Sequence, residues 1–189
     1  MSDNPLEAVS IDGDGLRFGI VASRYNKHYV DALLNSALRK LDDAGVRPED
    51  IETFRIPGAL EAPFTVGMLA ASGEFDCLIV LGVIIKGDTS HHDLIARSTA
   101  DAFLRISRES EVPIINGVLD VNNAKQAEER CMGAMDRGAE FASSALEMAD
   151  MKVQLVRRLD EIYGAEQAGN DKPDWSSFFG DADDQTWKS

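Results

Sequence analysis

The chain has 189 residues, 44% of them hydrophobic, which is enough for one α/β domain with a buried core and some extra chain. A formal net charge of -14 argues against nucleic acid and anionic membranes as partners. No apolar stretch is long enough to span a bilayer, and the acidic, polar start Met1-Ser2-Asp3-Asn4-Pro5 does not read as a signal peptide, so a cytoplasmic protein is expected.

Leu16 to Ala22 is a short β-branched, apolar run and reads as a strand leading into Ser23-Arg24-Tyr25-Asn26. Val30, Leu33, Leu34, Ala37, Leu38 and Leu41 then fall on one helical face, and Gly45 fits a left-handed cap. Ile51 to Ile56 is a second strand, ending at Pro57-Gly58. Leu60 to Ala71 reads as a helix that tolerates Pro63 only in its first turn. Cys77 to Ile85 is a third strand. His91 to Ser107 is a helix with Leu94, Ile95, Ala102, Phe103 and Ile106 as core candidates. Val112 to Leu119 reads as a fourth strand with Pro113 at its start, Asn123 to Cys131 as a short helix, and Gly138 to about Tyr163 as a long closing helix.

Strands alternating with helices predict an α/β fold, a three-layer sandwich around a mainly parallel four-stranded sheet. Residues 1–15 read as an N-terminal arm, 16–163 as the α/β domain, and 164–189 as an acidic tail holding Trp175, Phe178, Phe179 and Trp187, a flexible segment by composition with aromatics that suit docking. There is no internal repeat. Cys77 and Cys131 form no C-x-x-C and read as reduced, non-catalytic residues; no Cys, His and carboxylate cluster has metal-ligand spacing.

In such sheets ligands sit outside the carboxyl ends of the strands, which singles out Ser23–Asn26, Pro57–Glu61, Lys86–His92 and Asn116–Asn122. The third loop is the most informative. An apolar strand ends in Gly87-Asp88-Thr89-Ser90, and His91-His92 follows at a helix start. Unpaired backbone amides at such a start hold anions, and an imidazole beside them moves protons. An anion site next to a proton shuttle points to an enzyme acting on a phosphorylated small molecule.

Taken in order, these loops resemble those of the 6,7-dimethyl-8-ribityllumazine synthase family, over about Leu16 to Val156. Arg24-Tyr25-Asn26 is similar to its Arg-aromatic-Asn. Pro57-Gly58-Ala59-Leu60-Glu61 matches its Pro-Gly-Ala-x-Glu, and Lys86-Gly87-Asp88-Thr89-Ser90-His91 resembles its basic-Gly-x-Thr-x-His turn. Gly117-Val118-Leu119 with Gln126-Ala127-Glu128-Glu129-Arg130 resembles Gly-Val-Leu…Gln-Ala-x-x-Arg, and Ser144-Ala145-Leu146-Glu147-Met148-Ala149 resembles the start of the closing helix. The resemblance implies a flavodoxin-like topology and condensation of 5-amino-6-(D-ribitylamino)uracil with 3,4-dihydroxy-2-butanone 4-phosphate, the penultimate step of riboflavin synthesis. It implies no metal or redox cofactor, and a homo-oligomer, a pentamer or assemblies of pentamers.

Residue by residue, the resemblance makes His91 the proton donor or acceptor; imidazole titrates near pH ~6.5. Read alone, without the motif, His91 is better taken as a helix-start residue that caps or faces solvent. His92 stands where the family has an aromatic residue and reads as packing. Asp88 and Thr89 align with the phosphate loop, although capping by Thr89 or Ser90 would use the same atoms. Arg130 matches the phosphate-binding arginine, with pairing to Glu128 or Glu129 as the alternative. Tyr25 matches the aromatic residue that stacks on the pyrimidine. Ala59, Leu60 and Glu61 align with the binders of the uracil edge and ribityl hydroxyls, and Val83, Ile84 and Ile85 with the pyrimidine pocket wall.

Several positions depart from the family pattern. Asn116 stands where the family often has Phe, a residue that covers the substrate, commonly from the neighbouring subunit. Val83 replaces a frequent Thr or Ser, and Lys86 a usual Arg. Cys131–Gly138 lacks the usual two lysines, which bears on assembly into larger shells. These departures keep two other readings open: a non-catalytic flavin- or lumazine-binding or scaffold protein on this fold, and the archaeal-type riboflavin synthase, against which the phosphate turn argues.

Overall fold

In the computed structural model, residues 9–163 are described. The four strands are β1 (Phe18–Ser23), β2 (Ile51–Ile56), β3 (Cys77–Ile85) and β4 (Ile114–Val121). All pairings are parallel, in the order β2-β1-β3-β4. The helices are α1 (Lys27–Asp43), α2 (Ala62–Ser72), α3 (His91–Ser110), α4 (Ala124–Cys131) and α5 (Arg137–Tyr163).

Alternation along the strands assigns each side chain to a face, because successive residues point to opposite sides of a sheet. Phe18, Ile20, Ala22, Cys77, Ile79, Leu81 and Val83 pack with Val30, Leu33, Ala37 and Leu41 of α1, Ala127 of α4 and Ala142, Ala145 and Ala149 of α5. Val21, Leu78 and Val80 face the other way, onto Ala62, Val66 and Ala70 of α2 and Phe103 of α3. β1 and β3 therefore have no polar face, as a sheet covered on both sides requires. Small residues let helices approach closely: a Cβ on Gly138 would come within 2.4 Å of the Leu33 carbonyl oxygen on α1.

Local signals place most boundaries. Gly45 has φ +88 just beyond α1, and Pro63 sits in the first turn of α2. The Asn123 side chain accepts a hydrogen bond from the Gln126 N–H and caps α4. Four expectations are corrected. β1 begins at Phe18, not Leu16. Leu94 is exposed rather than core. Ala59–Glu61 form a 3-10 turn, so the α2 helix begins two residues after Leu60. The fourth strand runs to Val121, so Asn116 is not in a strand-end loop; it pairs opposite Val80 inside the ladder.

Of the expected arm, Ile11 packs on the core and the Gly13 N–H donates to the Ala44 carbonyl at 2.8 Å. The compact unit extends to Gln154. From Leu155 the chain forms a second unit, whose described part is the end of α5, with Leu155, Val156 and Ile162 exposed. The expected aromatic tail, 164–189, lies outside the described residues.

Candidate active site

The chain enters its helices in opposite directions on either side of β1 and β3, so their carboxyl ends bound a crevice. A cleft of about 460 Å³ opens there, a size suited to a small metabolite. Its walls come from three strand ends: Ser23, Tyr25 and Asn26 after β1; Gly58, Ala59, Leu60 and Glu61 after β2; and Val83, Ile84, Ile85, Gly87, Thr89, His91, His92 and Ile95 from β3 into α3.

Backbone hydrogen bonds hold the first two walls together: the Arg24 N–H donates to the Ile56 carbonyl at 2.8 Å and the Tyr25 N–H to the Pro57 carbonyl at 3.1 Å. The Tyr25 ring is 73% exposed, open for a flat ring to stack on it. A Cβ at Gly58 would come within 3.1 Å of the Glu61 carboxylate and 3.4 Å of the Tyr25 ring, so glycine lets both approach the turn. Asn26 takes a left-handed backbone (φ 52), which Asn tolerates better than most residues. Its Nδ2 donates to the Val83 carbonyl at 2.8 Å, linking the β1 loop to the end of β3.

At the third wall, Ser90 occupies the N-cap position of α3 without a side-chain capping bond. The first amides of α3 thus remain available at the positive end of the helix, the arrangement that receives anions. His91 opens α3; it is exposed and makes no hydrogen bond or ion pair among the described residues. His92 is the less free of the two. Its side chain is 10% exposed and its Nδ1 lies 3.0 Å from the Thr89 carbonyl oxygen.

The structure brings together Tyr25, Ala59, Leu60, Glu61, Val83, Ile84, Ile85, Thr89 and His91. It leaves out Asp88, Asn116 and Arg130. Asp88 is an exposed residue of the turn. Asn116 is exposed on the edge strand β4, its Oδ1 accepting from the Val118 N–H at 3.1 Å. Arg130 lies near the end of α4, Nη1 donating to the Gln126 carbonyl at 3.3 Å rather than pairing with Glu128 or Glu129. Sequence reasoning passed over Ser23, Asn26, Gly58, Gly87, His92 and Ile95 as site residues; Asn26 and Gly58 were visible within the quoted motifs. Neither cysteine lines the cleft. Burial raises the Cys77 thiol far above its usual range and pushes Cys131 up to about 11, despite the opposing pull of Arg130.

The family model for 6,7-dimethyl-8-ribityllumazine synthase matches residues 15–153. Proteins of that name are similar over most of the chain. The one from Cupriavidus metallidurans is 36% identical, covering 91% of this chain and 99% of its own. That from Paraburkholderia phymatum is 39% identical, covering 77% and 83%. That from Polynucleobacter necessarius is 39% identical, covering 86% and 93%. With the cleft at the strand ends that carry the shared motifs, the chain belongs to the 6,7-dimethyl-8-ribityllumazine synthase family, transferases of riboflavin biosynthesis.

Proposed function

We propose that this enzyme condenses 5-amino-6-(D-ribitylamino)uracil with 3,4-dihydroxy-2-butanone 4-phosphate, releasing 6,7-dimethyl-8-ribityllumazine, phosphate and water. The carrying observation is that one cleft holds an exposed aromatic ring, a polar turn and an uncapped helix start beside an unengaged imidazole. The reaction needs those parts. The pyrimidine stacks on Tyr25 against the Val83–Ile85 wall, with its polar edge and ribityl hydroxyls toward Ala59, Leu60 and Glu61. The phosphate sits at Thr89 and the first α3 amides, with Asp88 offering backbone only.

The uracil amine attacks the ketone and a first water leaves as the imine forms; phosphate is then eliminated, and the ribitylamino nitrogen closes the ring on the remaining carbonyl with loss of a second water. His91 moves protons at the carbonyl oxygen and the amine nitrogen. Asn116 and Arg130 lie outside the cleft of their own chain. In the homo-oligomer we propose, a pentamer, they serve the neighbour's cleft, where the Arg130 guanidinium completes the phosphate site. Exposed Phe64 and Met68 on α2 and Leu104 on α3 supply apolar surface for such an assembly.

The test is absorbance and fluorescence of purified protein with both substrates, against the uncatalysed background. Lumazine formed above background supports the synthase. Folded protein that gives no product refutes it, and tight riboflavin binding without turnover would favour the binding-protein reading instead.

A further inference from the structure

One cluster beside the cleft is left unused by the reaction. His92, Asp93 and Asp120 offer a ring nitrogen and two carboxylate oxygens that all lie within 4.8 Å of one another. Linear spacing hides it, because Asp120 is on β4; the parallel register sets it opposite Ile84, at the strand end that feeds α3.

The tautomer of His92 follows from its partners. Nδ1 lies 3.0 Å from the Thr89 carbonyl oxygen, which can only accept, so Nδ1 carries the proton. In the neutral ring, Nε2 then presents a lone pair, and it faces the Asp93 carboxylate at 3.4 Å. Three acceptors thus converge, from a ring whose side chain is nine-tenths buried and whose Nε2 makes no hydrogen bond. Among the described residues no lysine or arginine pairs with either carboxylate.

A proton on Nε2 satisfies these acceptors poorly. It could hydrogen-bond one carboxylate, at 3.4 Å, longer than the ~2.7–2.9 Å of a good charge-assisted bond, and would reach the other through its charge alone. A metal ion serves all three. Two ligands each about 2.1 Å from a tetrahedral ion sit about 3.4 Å apart, the separation of His92 Nε2 from the Asp93 carboxylate; the Asp120 oxygen lies within 4.8 Å of both, a short rotamer shift from the same spacing. A metal-binding histidine typically donates its other ring N–H to a carbonyl or carboxylate, as His92 does to Thr89.

We propose that His92, Asp93 and Asp120 bind a divalent transition-metal ion of the zinc class, with water completing its coordination. One imidazole and two carboxylates suit that class rather than a softer or larger ion. Through His92, the ion fixes the backbone of Thr89 and adds positive charge beside the turn. The site does not depend on the reaction assigned to the cleft.

The test is calorimetric titration of zinc chloride into the full, chelator-stripped chain. Binding of one equivalent per chain at micromolar Kd is expected. Asp120→Asn and Asp93→Asn, both at exposed side chains, should each weaken it at least ~10-fold, and His28→Ala should leave it unchanged. His92→Phe should abolish binding; should that variant fold poorly, the two Asn variants decide alone. Zinc should also raise the Tm of the parent chain and not of the Asp variants. No binding tighter than about 100 µM, or binding that survives both Asn substitutions, overturns the site. So does an NMR finding that His92 is an imidazolium at pH 7 in the presence of zinc.

Discussion

Asn26 makes two separable contributions to the cleft. Its backbone is left-handed, and its side chain reaches Val83 where the β1–β3 ladder has already ended at Ala22–Leu81. Asn26→Ala removes both. The hydrogen bond is worth about 0.5–1.5 kcal/mol net, and a left-handed alanine costs about 1 kcal/mol more than asparagine. The sum is about 2 kcal/mol, or a fall in Tm of roughly 4–8 °C for a domain of this size. Asn26→Gly separates the terms. Glycine accepts φ 52 without strain, so the lost hydrogen bond remains, together with the extra chain entropy that glycine loses on folding. Asn26→Asp keeps the backbone preference but sets a carboxylate against a carbonyl, and should be less stable than the glycine variant. Urea unfolding at fixed protein concentration measures all three, since concentration affects any oligomer's stability. The expected order is Asn, then Gly, then Ala, with Asp below Gly. Equal stability of the parent and Asn26→Ala would refute the assignment of Asn26 as the tie between the two walls.

His91→Ala should lower kcat by about 10²–10⁴-fold with the Tm unchanged, because the ring touches nothing that holds the fold. Mixing His91→Ala with Arg130→Ala subunits, unfolded and reassembled together, should restore about a quarter of parental activity if each cleft takes His91 from one chain and Arg130 from its neighbour; no recovery would place both in one chain. Neither cysteine should react with a disulfide reagent at pH 7.5 in the folded protein, while both should in denaturant; with Cys131 pushed up to about 11, well under ~1% is thiolate at that pH. The Lys27 hydrogen bond, helped by Arg55, holds Asp31 below the usual carboxylate range. Its folded pKa is thus below its unfolded one, so its contribution is present above the unfolded pKa and lost as pH falls through the folded one. Asp31→Asn should be slightly less stable than the parent at pH 7, since the side chain is still 27% exposed and its ion pairs are screened, with the difference vanishing in urea titrations at pH below the folded pKa.

The strands and helices were legible because each carries a short-range signal. Cys77–Ile85 is an uncharged, apolar run bounded by Asp76 and Lys86, and α1 shows a clean helical stripe from Val30 to Leu41. The errors have identifiable causes. Leu94 fits the apolar period of α3, yet the first turns of that helix stand at the mouth of the cleft, where periodicity does not imply cover. β4 continues past Leu119 to Val121 because ladder pairing with Ile84 and Ile85 of β3 outweighs the weak strand preference of Asp120. The site divides similarly. Residues contiguous with a strand end, such as Ala59–Glu61 and Thr89–His91, follow from the sequence once the strand is placed. The Asn26–Val83 tie and the approach of Asp120 to His92 do not, because each depends on register between segments far apart in the chain.

The electrostatics of the cleft set a condition on any phosphate it takes. The chain carries -14, and Asp88 stands within the turn itself. Against that, the turn offers the uncapped amides of α3, worth about 0.3–1 kcal/mol toward an anion at an exposed helix end. That is a small term, and no lysine or arginine lines the cleft among the described residues. Lys86 is exposed and outside the lining, and Arg130 lies on α4, away from its own cleft. In the reaction proposed above, a single chain thus has residues placed to orient the pyrimidine and move the proton, but little to retain the phosphate. Two sources can supply the missing charge: an arginine from an adjacent subunit, or a divalent ion held by His92, Asp93 and Asp120. They differ in what dilution does. Arginine from a neighbour is lost when the oligomer dissociates, whereas a metal within the chain stays. Phosphate affinity that falls with protein concentration, and is unmoved by chelation, assigns the charge to Arg130; the converse assigns it to the metal.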